Sequence, residues 1–219
     1  MAVSHTYTTT FARIHQLEAH LLPPINPMGT YTDKDQDLLR AYCLLCHAEF
    51  EAYLEGITLQ VVTRAYNKWL TDKSVISPII FQLAYNFASK IKDVPYSLVV
   101  KSYLEYKKSI EGNHGIKENN LSNFFRPIGF EMDSLLKATL HNFGGARGEI
   151  AHTSFSTQQP LDPATEKANV VQILNGLRLF DDELDVYESL GTLSRSPKSM
   201  QWSKFNLLQR IKILFTGQT

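Results

Sequence analysis

Apolar residues recur every three or four positions along this chain, and no stretch shows the two-residue alternation of a strand. Such a chain must fold as helices that bury one face against one another, an all-α multi-helix bundle. "TFARIHQLEAHLL" sets Phe11, Ile14, Leu17 and Leu21 on one face before "PPINP" stops the helix. Thr32 is an N-cap candidate followed by acids, and opens a long helix carrying Leu38, Tyr42, Leu45, Phe50 and Leu54, expected to end near Gly56. "TLQVVTRAYNKWL" continues the pattern with Val62, Tyr66 and Trp69, and "SPIIFQLAYNFASKI" and "PYSLVVKSYLEYKKSI" each read as a helix with proline near its start. After the polar loop "EGNHGIKENN" comes a short helix in "LSNFFRPIGF", then a helix in "EMDSLLKATLHNF" that runs into Gly144 and Gly145. Asp162 before Pro163 marks the start of a helix to about Leu190, and "MQWSKFNLLQRIKILF" closes the chain as an amphipathic helix.

With 219 residues, 43% of them hydrophobic, the chain can bury one sizeable core, and a single domain over 1–219 is expected. Basic and acidic residues number 22 each, so any affinity for a polyanion must come from a local patch. Residues 191–219 offer one, with Arg195, Lys198, Lys204, Arg210 and Lys212 and no acid, and Lys198, Lys204, Arg210 and Lys212 are candidate RNA-binding residues. Two cysteines make no disulfide framework, and "MAVSHTYTTTFARIHQ" lacks the pattern of a secretory signal. "VISPIIFQLAYNFA" is too short and interrupted to span a bilayer, so a cytoplasmic protein without membrane contact is expected.

"CLLCH", residues 43–47, has the spacing of a haem-attachment motif, but inside a long amphipathic helix Cys43 and Cys46 are better read as small apolar fillers. A zinc on Cys43, Cys46 and His47 would need a fourth ligand that nothing in the sequence points to, and no metal or other cofactor is expected. Histidines 5, 15, 20, 114 and 141 are scattered, and neither a phosphate-binding glycine loop nor a G-x-S-x-G elbow is present.

"RGEIAHTS", residues 147–154, pairs Arg147 with His152. On one continuous helix the two would stand about 140° apart, so a helix end or a second subunit is needed for both to act on one group, and Gly144-Gly145 on one side and the Thr153-Ser154 turn on the other offer such an end. An imidazole transfers protons near neutrality and a guanidinium neutralises a phosphate, the two functions required to cut RNA without a metal.

"LLKATLHNFGGARGEIAHTS" resembles the signature region of HEPN domains, an Arg followed after four to six residues by a His at the end of a bundle helix. "LLRAYCLLCHAEFEAYLEGI" is similar to the early helix of the RiboL-PSP-type group with its A-x-x-E pattern, and "NNLSNFFRPIGFE" to that group's segment before the motif helix. The likeness runs from about residue 33 to 190. It implies a HEPN-like bundle, a homodimer, and a metal-independent endoribonuclease that leaves 2′,3′-cyclic phosphate and 5′-hydroxyl ends. The implied setting is a toxin or antiphage defence effector with an antitoxin or defence-system partner. The alternative it carries is a catalytically weak regulatory module that binds RNA or a protein such as a nucleotidyltransferase antitoxin. By the same resemblance His152 would move the proton and Arg147 hold the phosphate. Gly148 departs from the polar residue common after the arginine, which would weaken orientation of the pair; Glu149 is a candidate to replace it, and Glu51 a further orienting candidate.

Overall fold

The computed structural model describes residues 3–72, 76–88, 95–152 and 159–189. Among these the α-helices are α1 (His5–Leu21), α2 (Asp33–Thr71), α3 (Pro78–Ala88), α4 (Pro95–Glu111), α5 (Glu118–Phe125), α6 (Ser134–His152) and α7 (Pro163–Ser189), with a 3-10 turn at Arg126–Ile128 after α5. No strand occurs among the described residues, and the chain is all-α. The basic segment 191–219, with Arg195, Lys198, Lys204, Arg210 and Lys212, lies outside the described residues.

The described residues gather into two compact units, one within 1–54, 114–121 and 132–182, the other within 55–113, 122–131 and from 183 onward. In the first, Ser4 caps α1 by accepting from Tyr7 N at 3.0 Å, and Tyr7, Ile14 and Leu17 are buried. Phe11, expected on that face, is instead exposed. Residues 7, 10, 14 and 17 lie within an arc of about 80° on the helix, and Phe11 falls about 40° outside it. Ser4 N and Oγ both donate to Asp181, at 2.7 and 2.6 Å, and Tyr53 Oη donates to the same carboxylate at 2.9 Å. Thr32 and Asp35 form a reciprocal capping box on α2, Thr32 N donating to Asp35 Oδ2 at 2.9 Å and Asp35 N to Thr32 Oγ1 at 3.2 Å. Leu39, Tyr42, Cys43, Cys46 and Phe50 then line the buried face of α2, while Leu45 is exposed. Asp162 accepts from Thr165 N at 2.9 Å and starts α7 where Asp-Pro foretells it. Gly176 of α7 permits a close approach to α6, since a Cβ there would lie 2.7 Å from Leu136 Cδ1.

In the second unit α2 continues to Thr71, past the stop expected near Gly56. A mid-helix glycine costs about 1 kcal/mol, and burial of Ile57, Val61, Val62 and Trp69 outweighs it at roughly 1.5–3 kcal/mol for each large apolar side chain. Tyr106 and Tyr187 tie down the turn region, donating to Phe124 O and Ile128 O at 2.7 Å each. Gly129, at φ 72°, takes a left-handed conformation with Gln82 against its α-carbon.

Candidate functional site

Helix α6 carries the Arg147/His152 pair and belongs to the first unit. Of the two expected ends it does not take the first, Gly144-Gly145, but runs through it to His152, just before Thr153-Ser154. Gly144 is there for proximity: a Cβ would stand 3.3 Å from both Ile116 Cγ1 and Lys117 Cγ, so the loop ahead of α5 lies directly on the helix.

Two stripes of α6 build the site. The first is the core stripe, Leu136, Leu140 and Phe143, all buried. One turn beyond Phe143, where the same stripe continues, stands Arg147, and it is exposed, as are Ala151 and His152. The helix thus outruns its own cover, and its last turn and a half presents a cation and an imidazole to the surface. The second stripe is Lys137, His141, Gly144 and Gly148, and residues 116–118 follow it turn by turn. Lys137 Nζ pairs with Glu118 at 2.7 Å, His141 Nδ1 accepts from Glu118 N at 3.2 Å, and Lys117 Nζ lies 3.8 Å from where a Cβ on Gly148 would be. His152 is the next position along this stripe.

His47 of α2 is buried within reach of the Arg147 charge. Its ring stacks on Phe143 with centroids 6.4 Å apart and planes 18° apart, and its Nδ1 is 3.7 Å from Glu51 Oε2. Burial pushes its pKa down to about 4, and the charges of Arg147 and Lys117 push the same way. The imidazole is therefore neutral at pH 7. Glu51 also accepts from Gly115 N, so one carboxylate reaches both His47 and the loop that carries Lys117. Gly115 has φ 115°, a conformation suited to glycine.

Among the candidates read from sequence, Arg147 and His152 share the exposed end of α6 about 140° apart. Glu149 is exposed, on the His152 side of the helix and turned away from Arg147 by its two-residue offset. Glu51 sits inside the cluster. Lys198, Lys204, Arg210 and Lys212 lie outside the described residues. The sequence reading did not single out His47 or Lys117 as partners of the motif. His47 has a local signal, standing one turn before the glutamate of the A-x-x-E pattern on the same helix; Lys117 has none, because only the fold brings residue 117 to residue 148.

The remaining candidates read differently. Cys43 and Cys46 are buried, and burial raises both thiols, Cys46 to about 12, so they are protonated fillers, Cys43 donating to Glu166 at 3.6 Å. No group of three His, Cys, Asp or Glu side chains among the described residues is arranged to hold a metal ion. No helix among them is long and apolar enough to cross a membrane.

A family model described as RiboL-PSP-HEPN matches residues 9–185. The match reaches back into α1, which the likeness read from about residue 33 leaves out. No curated protein and no solved structure matches the chain.

Proposed function

The chain belongs to the RiboL-PSP-HEPN family, and from that premise we propose that it is an endoribonuclease that cuts RNA by attack of a 2′-hydroxyl on the adjacent phosphorus. The observation that supports this best is the exposed end of α6, where Arg147 and His152 stand clear of the core, with the neutral, buried His47 within reach of the arginine's charge. In the reaction the 2′-oxygen forms a bond to phosphorus as its proton leaves. The bond from phosphorus to the 5′-oxygen then breaks, and that oxygen takes up a proton. The products are a 2′,3′-cyclic phosphate and a 5′-hydroxyl, with no water or metal consumed. His152 transfers protons, and Arg147 neutralises the charge that builds on the phosphorane oxygens. Two proton transfers at opposite sides of one phosphorus ask for two imidazoles. A homodimer about a twofold axis supplies them, with the divergence of Arg147 and His152 on one helix resolved by a second copy. A role as a toxin or antiphage effector in the cytoplasm, held in check by an antitoxin or other defence partner, is the biological setting proposed.

The test is cleavage of total RNA in excess chelator by the parent protein, Arg147→Ala and His152→Ala. Cleavage by the parent, with a loss of about 10²–10⁴-fold on His152→Ala and cyclic phosphate ends on the products, is the expected result. Equal cleavage by all three overturns the assignment. RNA binding without cleavage, surviving His152→Ala, identifies a regulatory RNA-binding module instead. A strict monomer by light scattering removes the composite cleft.

A further inference from the structure

We propose that Lys117 is a phosphate-binding residue of the same site, holding together with Arg147 the RNA phosphate at which His152 works, from the place above Gly148 that a side chain would otherwise fill. For the identity of the ligand as RNA this rests on the endoribonuclease reading; the placement of the lysine stands by itself.

Arg147 and His152 leave an arc of about 140° between them on α6, and Gly148 lies within that arc, about 100° from the arginine and 40° from the histidine. The Lys117 ammonium is 3.8 Å from the Cβ position of Gly148, so it covers the gap that separates the two motif residues. A phosphate set there meets the ammonium from the loop and the guanidinium from the helix, with the imidazole one turn further on.

The lysine is also held there. Its stem rests on Gly144, where a Cβ would come within 3.3 Å of Lys117 Cγ. Ile116 beside it is fully buried. The backbone is fixed on both sides, Gly115 N by Glu51 and Glu118 N by His141 Nδ1 at 3.2 Å. A side chain whose stem is packed and whose backbone is tied loses little entropy on meeting a ligand.

Charge points the same way. Among the described residues neither Lys117 nor Arg147 is in an ion pair, although Glu118 is the next residue to Lys117; that carboxylate is engaged by Lys137 at 2.7 Å. Two cations are thus directed at one surface, next to a buried imidazole that carries no charge at pH 7. An anion relieves their mutual repulsion, and a phosphodiester is the anion that the reaction brings.

The experiment measures binding of a fluorescent single-stranded RNA oligonucleotide with 2′-O-methyl sugars, which cannot be cut, by fluorescence anisotropy over a range of salt. Alongside it, cleavage of unmodified RNA by parent and His152→Ala reports on the nuclease reading. Lys117→Ala is expected to weaken binding about tenfold and to lower the slope of log affinity against log salt by about one; Lys117→Arg keeps most of both. Unchanged affinity and slope on Lys117→Ala overturn the proposal, even in a parent that cleaves. If Lys117→Ala weakens binding but the parent does not cleave, the phosphate site stands and the nuclease reading falls. A parent that binds no RNA overturns both.

Discussion

Two polar clusters in the first unit differ in one respect, whether their charges are answered from within. Around Asp181 everything is matched: Ser4 N, Ser4 Oγ and Tyr53 Oη all donate to one buried carboxylate, and burial together with that carboxylate keeps the Tyr53 hydroxyl protonated. This cluster ties the first turn of α1 to α7 and to α2, and its chemistry is used up in doing so. At the end of α6 the balance is the reverse. Arg147 and Lys117 converge on a neutral His47 and, among the described residues, are in no ion pair. A satisfied cluster stabilises the fold; an unsatisfied one is maintained by the fold for something that comes from outside.

Beyond the loss of cleavage on His152→Ala and of phosphate binding on Lys117→Ala, the comparison breaks most sharply at Asp181. Asp181→Ala leaves three donors facing an apolar side chain and is expected to lower stability by about 3 kcal/mol, read by denaturant unfolding, while the folded fraction cleaves RNA as the parent does. A loss of cleavage without a loss of stability would mean that the two clusters are not divided as described.

Next in size is a pH effect at His47. Its folded pKa of about 4 lies below the ordinary value of about 6.5. As pH falls through about 6.5 the unfolded chain takes up a proton that the folded chain refuses until about 4. The stabilisation is therefore complete above pH 6.5 and is lost on the way down to pH 4, by about 3 kcal/mol. His47→Phe is expected to flatten that part of the stability profile measured against the parent. Glu51, Arg147 and Lys117 surround the same ring, so a parent and variant that fall in parallel would show the imidazole to be hydrated rather than sealed.

The smallest expected effect is the most diagnostic. Gly144→Ala changes no charge, and its new methyl meets Ile116 and Lys117 at 3.3 Å. The gain in helix propensity and the crowding offset each other to within about 1 kcal/mol. Displacing Lys117 by even a fraction of an ångström is expected to weaken oligonucleotide binding about threefold, less than its removal does. A stability change without a binding change would make Gly144 a packing residue alone.

Much of this architecture is legible in the sequence. Helical periodicity gives the all-α class, Thr32 and Asp162 mark two helix starts, and Arg147 with His152 at a helix end is readable from spacing and resemblance. The misreadings share a cause. Gly56 and Gly144-Gly145 look like stops because glycine is a poor helix former, yet α2 and α6 run through them. Local propensity of about 1 kcal/mol yields to the burial of several large side chains at Gly56 and to a close contact at Gly144. Helical period puts Phe11 and Leu45 on the apolar faces of α1 and α2, but both are exposed, because which of two overlapping stripes is covered depends on the neighbouring helix.

By itself, then, the sequence determined the helices, the candidate pair Arg147 and His152 and its place at the end of one helix, because periodicity, capping and short motifs are local properties. Only the tertiary structure decided the company the pair keeps. It laid residues 116–118 along α6, stacked His47 on Phe143, and brought Lys117 to the space above Gly148. These are contacts between positions far apart in the chain, fixed by packing, and no local pattern encodes them. Gly148, which in the motif is the absence of an orienting side chain, is in the fold the opening through which another residue's charge arrives.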